Sequence, residues 1–196
     1  MSRKAEIKRK TNETDVVLSL NLDGKGRTDC KTGVGFLDHM LDHLGKHSLC
    51  DLTVHATGDL HVDSHHTVED VAICLGEALE KSLGDKKGIR RYGNARVPMD
   101  EALADVSVDL SGRAAVVWNV SFSSDKIGDM DTQLLQEFVN RFANVAKINL
   151  HVNVPYGSND HHIAEAIFKA MAQALRQAKS IDSDRPGEVP STKGTL

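Results

Sequence analysis

Aromatic residues make up only 4 % of this 196-residue chain, and positive charge is in deficit, with 24 Lys and Arg against 28 Asp and Glu for a net charge of −4. That balance excludes a broad basic surface for nucleic acid. No stretch approaches the 18 or so uninterrupted apolar residues that a bilayer span requires, and the first residues, Met1 to Glu6, run into polar chain without an apolar leader core. The expectation is a soluble, unexported, cytoplasmic protein with no membrane partner. Cysteine is also sparse: Cys30, Cys50 and Cys74 are an odd number at spacings that fit neither a disulfide framework nor a CxxC zinc site, so they read as reduced, mostly buried thiols. Against these shortages stand ten histidines. Histidine is the commonest metal ligand and titrates nearest neutral pH, and a domain that merely packs has no use for so many.

The chain repeats itself. The alternating run Leu18, Ser19, Leu20, Asn21, Leu22 returns 88 positions later as Val106, Ser107, Val108, Asp109, Leu110, and each run ends at a glycine turn, Gly24 or Gly112. Both read as half-buried strands. The helical stripe Phe36, Leu37, Met40, Leu41, Leu44 recurs at an offset of 98 as Leu134, Leu135, Phe138, Val139, Phe142, with the additional length taken up by a loop around Ser123 to Asp131. A third block, strand then polar turn then helix, pairs Val68, Val71, Ala72, Leu75, Leu79 with Ala164, Ile167, Phe168, Met171, Leu175 at an offset of 96. The pattern predicts an internally duplicated α+β fold in which each half runs strand, strand, helix, strand, helix and forms a small antiparallel sheet covered by helices on one face. The halves are placed at 1–88 and 89–180, and each is too small to bury a comfortable core alone, so they are expected to pack on each other or on neighbouring subunits. Residues 181–196 are rich in Ser, Pro and Gly, which by composition reads as an extended tail.

The strongest chemical signal is His-His-x-x-Glu at the start of both long helices: His65, His66, Glu69 and His161, His162, Glu165. Residues four apart share a helix face, so each first histidine stands over its glutamate while the second points about 100° away. One motif therefore offers ligands in two directions. Imidazole nitrogen mixed with carboxylate oxygen suits Mn, Fe or Zn, and no thiolate lies close enough in sequence for a structural zinc knuckle. Ser64 and Asp160 precede the pairs where N-caps are expected, and a helix N-terminus disfavours imidazolium, which predicts neutral histidines. His39, His43 and His47 form a further stripe at i, i+4, i+8. For His43 and His47 a solvated polar face is the competing reading, whereas the repeat partner of His39 is Glu137, itself a ligand type. His55, His61 and His151 have no matched partner. Arg90, Arg91, Arg113 and Lys193 are candidates for holding an anion, Arg through bidentate geometry and Lys as a point charge.

The segments RKTNET, GFLDHMLDHLGKH, DSHHTVEDVAICLGEAL, RYGNARVPMDEALADVSVDLSGR, NDHHIAEAIFKAMAQAL and PSTKG, spread from about Arg9 to the C-terminus, resemble imidazoleglycerol-phosphate dehydratase, an enzyme of histidine biosynthesis. The resemblance implies a hydro-lyase with a pair of manganese ions (Mn2+) per active site and a cage of 24 subunits with sites built between neighbours. By position it implies metal ligands at His39, His65, His66, Glu69, His161, His162 and Glu165. At Glu137, the eighth candidate, many relatives carry histidine, a departure that carboxylate coordination of manganese can accommodate. It also implies catalytic roles for Glu13, Glu69 and Glu165, with Glu13 contacting substrate and moving a proton, and phosphate contacts at Arg91, Arg113, Ser191, Thr192 and Lys193. PSTKG then becomes a lid over the phosphate. The substrate is a small phosphorylated imidazole, and its elimination removes a hydroxyl beside the ring and a hydrogen from a carbon that no carbonyl activates. The expected route runs through the ring as imidazolate, with metal as Lewis acid and template. A dinuclear metallohydrolase of phosphate esters and a non-enzymatic metal-binding assembly protein are the alternatives from other classes.

Overall fold

The computed structural model describes residues 3–196. The first half contains β1 (Lys4–Lys10), β2 (Thr14–Asn21), β3 (Thr28–Lys31), α1 (Gly35–Ser48), β4 (Asp51–Gly58) and α2 (His65–Leu83). The second contains β5 (Tyr92–Met99), β6 (Ala102–Asp109), β7 (Ala115–Asn119), the short hairpin β8 (Lys126–Ile127) and β9 (Met130–Asp131), α3 (Gln133–Ala146), β10 (Asn149–Tyr156) and α4 (Asp160–Ala178). Sheet order is β1-β2-β4-β3 in one half and β5-β6-β10-β7 in the other, so the duplication extends to topology. Each half's main sheet has one strand more than the sequence pattern suggests, and the second half adds the β8–β9 hairpin. The additional sheet strands, β3 and β7, are short edge strands that pair in parallel with β4 and β10, so neither sheet is purely antiparallel. Their alternation of exposed and half-buried residues is too brief to register as a period.

Even the chain reversals repeat. Leu49 ends α1 and Lys147 ends α3, each at positive φ (56° and 54°), at the same offset as the helices they close. A left-handed residue there lets the chain turn back directly into the next strand.

The halves bury each other through their helices. α2 packs on α3 and α1 on α4, while α2 covers β1 and β2, and α4 covers β5 and β6. A helical layer thus lies between two sheets. That arrangement explains why α2 and α4 are buried on most of their circumference, with 12 and 13 of 19 residues out of solvent, whereas α1 buries 6 of 14. Phe138, Phe142 and Phe168 fill the centre at 0–1 % exposure, stacked and tilted against one another. Two glycines permit the closest approaches. A side chain at Gly76 would lie 2.8 Å from Val145 and 2.9 Å from the Phe142 carbonyl, and one at Gly93 would overlap the Ala174 carbonyl, where β5 rests on α4. Gly93→Ala is therefore expected to lower unfolding stability by about 2 kcal/mol, the scale of overpacking a close-packed core, measured as a shift in denaturant midpoint at unchanged m-value.

Candidate metal centre

Glu165 lies one turn into α4, 6 % exposed, with three imidazoles around it. Its Oε1 accepts from Nε2 of His39 and of His161, both at 2.9 Å, and its Oε2 lies 3.2 Å from His43 Nε2 and accepts from Lys169 at 2.5 Å. Burial opposes the charge on Glu165, but hydrogen bonds from Lys169, His39 and His161 outweigh it and hold the carboxyl well below the usual range. His43 is desolvated, which lowers its pKa, and its Nε2 is buried without a hydrogen-bond partner. His47 stacks on it, the ring centroids 5.6 Å apart, and burial lowers its pKa as well. The solvated-face reading fails for His43, because α1 presents the stripe to α4 of the other half.

Among the described residues, His39, His43 and Glu165 are the group whose three donor atoms all lie within 4.8 Å of one another. Donors that share a cation at about 2.1 Å and right angles are about 3 Å apart, so the spacings around Glu165 fit a metal. An orphaned buried nitrogen and a mixed nitrogen and oxygen set fit the same class of ion.

The symmetry-related positions form a second cluster on α2 and α3. Glu137 accepts from Arg141 Nε at 2.5 Å, and a Glu69 carboxylate oxygen lies 3.0 Å from the same nitrogen as an ion pair, while His65 stands one turn before Glu69 on α2. The structure does not unite the eight candidate ligands. They divide into a set around Glu165 and a set around Glu69, while the second histidine of each pair faces elsewhere. The rings of His65 and His66 are inclined at 81°, and those of His161 and His162 at 89°. Nδ1 of His66 donates to Asp59 at 3.0 Å, and Nδ1 of His162 donates to Glu101 at 2.7 Å. A carboxylate on Nδ1 fixes the ring and leaves Nε2 as the available ligand atom. Glu13, in the turn between β1 and β2, lies 3.9 Å from His66 Nε2.

Those carboxylates correct one expectation. Hydrogen bonds to Asp59 and to Glu101 raise the pKa of His66 and His162, overriding the helix terminus that was expected to keep them neutral. The caps differ too. Asp160 is the first residue of α4 rather than its cap; Asn159 caps the helix, its side chain accepting from the backbones of His161 and His162. Asp160 instead binds Ser123 and Ser124, which anchors the loop leading to β8. At α2, Asp63 rather than Ser64 accepts from the His65 backbone.

The anion candidates gather at the other end of α4. Arg91 has φ +73°, donates its backbone N–H to the Ala178 carbonyl, and holds Asp109 through Nε and a terminal nitrogen at 2.7 and 3.1 Å. Its remaining terminal nitrogen donates to the Pro190 carbonyl at 2.8 Å. This bond, with those between Gly88 and both Asp182 and Glu188, pins a tail whose composition suggested only an extended segment. Ser191 Oγ accepts from the Lys193 backbone at 3.2 Å, and Leu196 rests against Gly112, beside Arg113. Thr192 lies in the same exposed turn, and the backbone N–H of Arg90 is bonded to Ser180, just past the end of α4.

The sequence model of the imidazoleglycerol-phosphate dehydratase family matches residues 32–175. The chain belongs to this family. It is 57 % identical to the imidazoleglycerol-phosphate dehydratase of Granulibacter bethesdensis over 196 residues, the whole of both chains. It also shares its fold with the solved dehydratases of Staphylococcus aureus (38 % identity, TM-score 0.84, 91 % of this chain and 99 % of that one) and Pyrococcus furiosus (38 %, TM-score 0.81, 97 % and 100 %). Membership makes the chain a hydro-lyase.

Several participants were not picked out from sequence. Lys169 and Arg141 stand four residues after Glu165 and Glu137, a spacing that marks ion pairs on a helix, so both were legible by that rule. Asp59, Glu101 and Asp109 come from other elements and carry no such signal. His55 pairs with Asp29 at 2.8 Å on β3, outside both clusters, and His61 and His151 are exposed and join neither cluster.

Glu101 is pulled down to about 2 by the His162 bond and by backbone N–H groups of Asn159 and Ser158, so its contribution is present above its ordinary 4.5 and fades as pH falls toward 2. His162, raised, contributes fully below its ordinary 6.5 and loses that contribution as pH climbs through its elevated value. The ion pair is thus complete between pH 4.5 and 6.5. Glu101→Gln is expected to return the His162 titration toward 6.5 in chelator-treated protein, read from its ring proton resonances by NMR.

Proposed function

We propose that the chain dehydrates imidazole glycerol phosphate to imidazole acetol phosphate, a step of L-histidine biosynthesis, in an assembly of copies that binds two Mn2+ per active site. The observation that carries this reading is the convergence of His39, His43 and His161 on one buried carboxylate, Glu165, in a member of this family. Bound metal would supply Lewis-acid polarisation and a template for the imidazole ring.

The ligands proposed for one ion are His39, His161 and Glu165, and for the other His65, Glu69 and Glu137, with Nε2 of His66 and His162 free to complete sites in neighbouring copies. Glu165, kept ionised by Lys169, remains a carboxylate throughout the working pH range. Glu13, more than half exposed and close to His66, is the group proposed to take the proton from the carbon adjacent to the one that loses its hydroxyl and pass it to solvent. Arg91 has three donors engaged, by Asp109 and Pro190, and still offers others to a phosphate. Arg113, Ser191, Thr192 and Lys193 would complete that grip, with the tail excluding water as a lid.

Helix length argues for the assembly. His161 and His162 open α4 and Arg91 bonds to Ala178 at its far end, so at 1.5 Å per residue about 25 Å separates ring-holding from phosphate-holding groups. A small phosphorylated imidazole cannot bridge that distance, so the two sets would meet only between subunits; a cage of 24 is the arrangement this family reading implies. Cysteines that are all free suit a reducing cytoplasm, and no helix is long and apolar enough to cross a membrane among the described residues.

The deciding experiment is an elimination assay on chelator-treated protein with Mn2+ added back. Turnover should be absent, then restored, with water and not inorganic phosphate lost from the substrate; phosphate release would favour a hydrolase instead. Glu165→Gln is expected to cut kcat/KM and Mn2+ affinity by at least about 100-fold. Deleting the residues after Pro190 should abolish turnover and leave metal content unchanged; full activity of that truncation would remove the lid from the mechanism.

A further inference from the structure

The two donor clusters are related by the repeat, yet they are balanced differently. At the offset of 98, His39 corresponds to Glu137 and His43 to Arg141. Two imidazoles on α1 therefore face Glu165, while a carboxylate and a guanidinium on α3 face Glu69. The counter-charge moves as well. Glu165 is neutralised by Lys169 on its own helix, and the residue matching Lys169 on α2 is Ile73, which carries no charge. The first cluster pairs one carboxylate with one cation, whereas the second has two carboxylates and a single cation supplied from the facing helix.

The two cations also differ in how firmly they are held. The side chains of Lys169 and Glu165 are 18 % and 8 % exposed, so neither can leave without stranding a buried charge. Arg141 is 46 % exposed, and it reaches both Glu69 and Glu137 through one nitrogen, Nε, instead of gripping either with a two-pronged fork. One hydrogen bond to Glu137 and an ion pair to Glu69 through the same nitrogen form a weak hold compared with a bidentate pair, and its open side lets the guanidinium swing into water.

Resting on the proposed metal-dependent function, we propose that Arg141 is a built-in counter-ion that occupies the Glu69–Glu137 carboxylate pair and yields it to the divalent cation. It stabilises the metal-free chain by separating two carboxylates and lowers metal affinity at this cluster alone. The two ions of a site are then unequal, with Arg141 setting the affinity of one of them.

The test is titration of Mn2+ into the assembled, chelator-treated full chain, with the free ion followed by electron paramagnetic resonance, alongside thermal unfolding of the metal-free protein. Arg141→Met should bind Mn2+ about tenfold more tightly at one of two classes of site, leave the other class unchanged, and lose much of that gain in high salt. Its metal-free form should unfold at a lower temperature. Arg141→Lys, which keeps the charge, should stay near the wild-type affinity. Weaker binding by Arg141→Met, or unchanged binding at both classes, would overturn the proposal while leaving Mn2+-dependent elimination by the wild type intact. Absence of any Mn2+ binding by the wild type would overturn both the proposal and the function on which it rests.

Discussion

One buried carboxylate constrains much of this molecule. Glu165 sits where α1 of the first half crosses α4 of the second, and its charge is tolerable in that position only because Lys169, His39 and His161 all donate to it. His39 comes from one half, and His161 and Lys169 from the other, so the arrangement does not exist until the halves have packed. The second cluster has the same logic with the halves exchanged, Glu69 on α2 meeting Glu137 and Arg141 on α3. Duplication has therefore done more than enlarge a core. Each cluster is a hybrid of the two repeats, and the helical layer that buries apolar surface is also what brings the donors together.

How much of this is legible in the sequence follows from which forces act locally. The long helices, the alternating strands and the repeated His-His-x-x-Glu are visible because their periods match the geometry of the elements they form. The edge strands β3 and β7 are not, since residues such as Thr28 to Lys31 have no apolar face and owe their conformation to pairing with β4. The stripe of His39, His43 and His47 is visible, but its placement against α4 is not, because that depends on α4 arriving from the other half. Asp59, Glu101 and Asp109 share this character. Asp59 follows β4, Glu101 sits in the turn between β5 and β6, and Asp109 ends β6, and the meaning of each appears only once folding sets it against His66, His162 or Arg91. The displaced N-cap is a smaller instance. Asn159 and Asp160 are both good capping residues, and the choice between them is made by Ser123 and Ser124, which need a buried acceptor and take Asp160 for it.

The net charge of −4 conceals how sharply sign is distributed along the helices. Around the N-termini of α2 and α4 stand Glu13, Asp59, Glu69, Glu101 and Glu165, a region suited to divalent cations and hostile to a phosphate. Around the C-terminus of α4 stands Arg91, held in a left-handed conformation and steered by Asp109, with Arg113 and the tail close by. A chain that tried to hold a phosphorylated imidazole entirely within itself would have to place these regions side by side, and each would weaken the other as the chain folded. Placing them at opposite ends of one helix lets each be organised independently. Under the proposed function, the cost of bringing an anion up to the acidic region then falls on association between copies, after metal has reversed the sign of the field there.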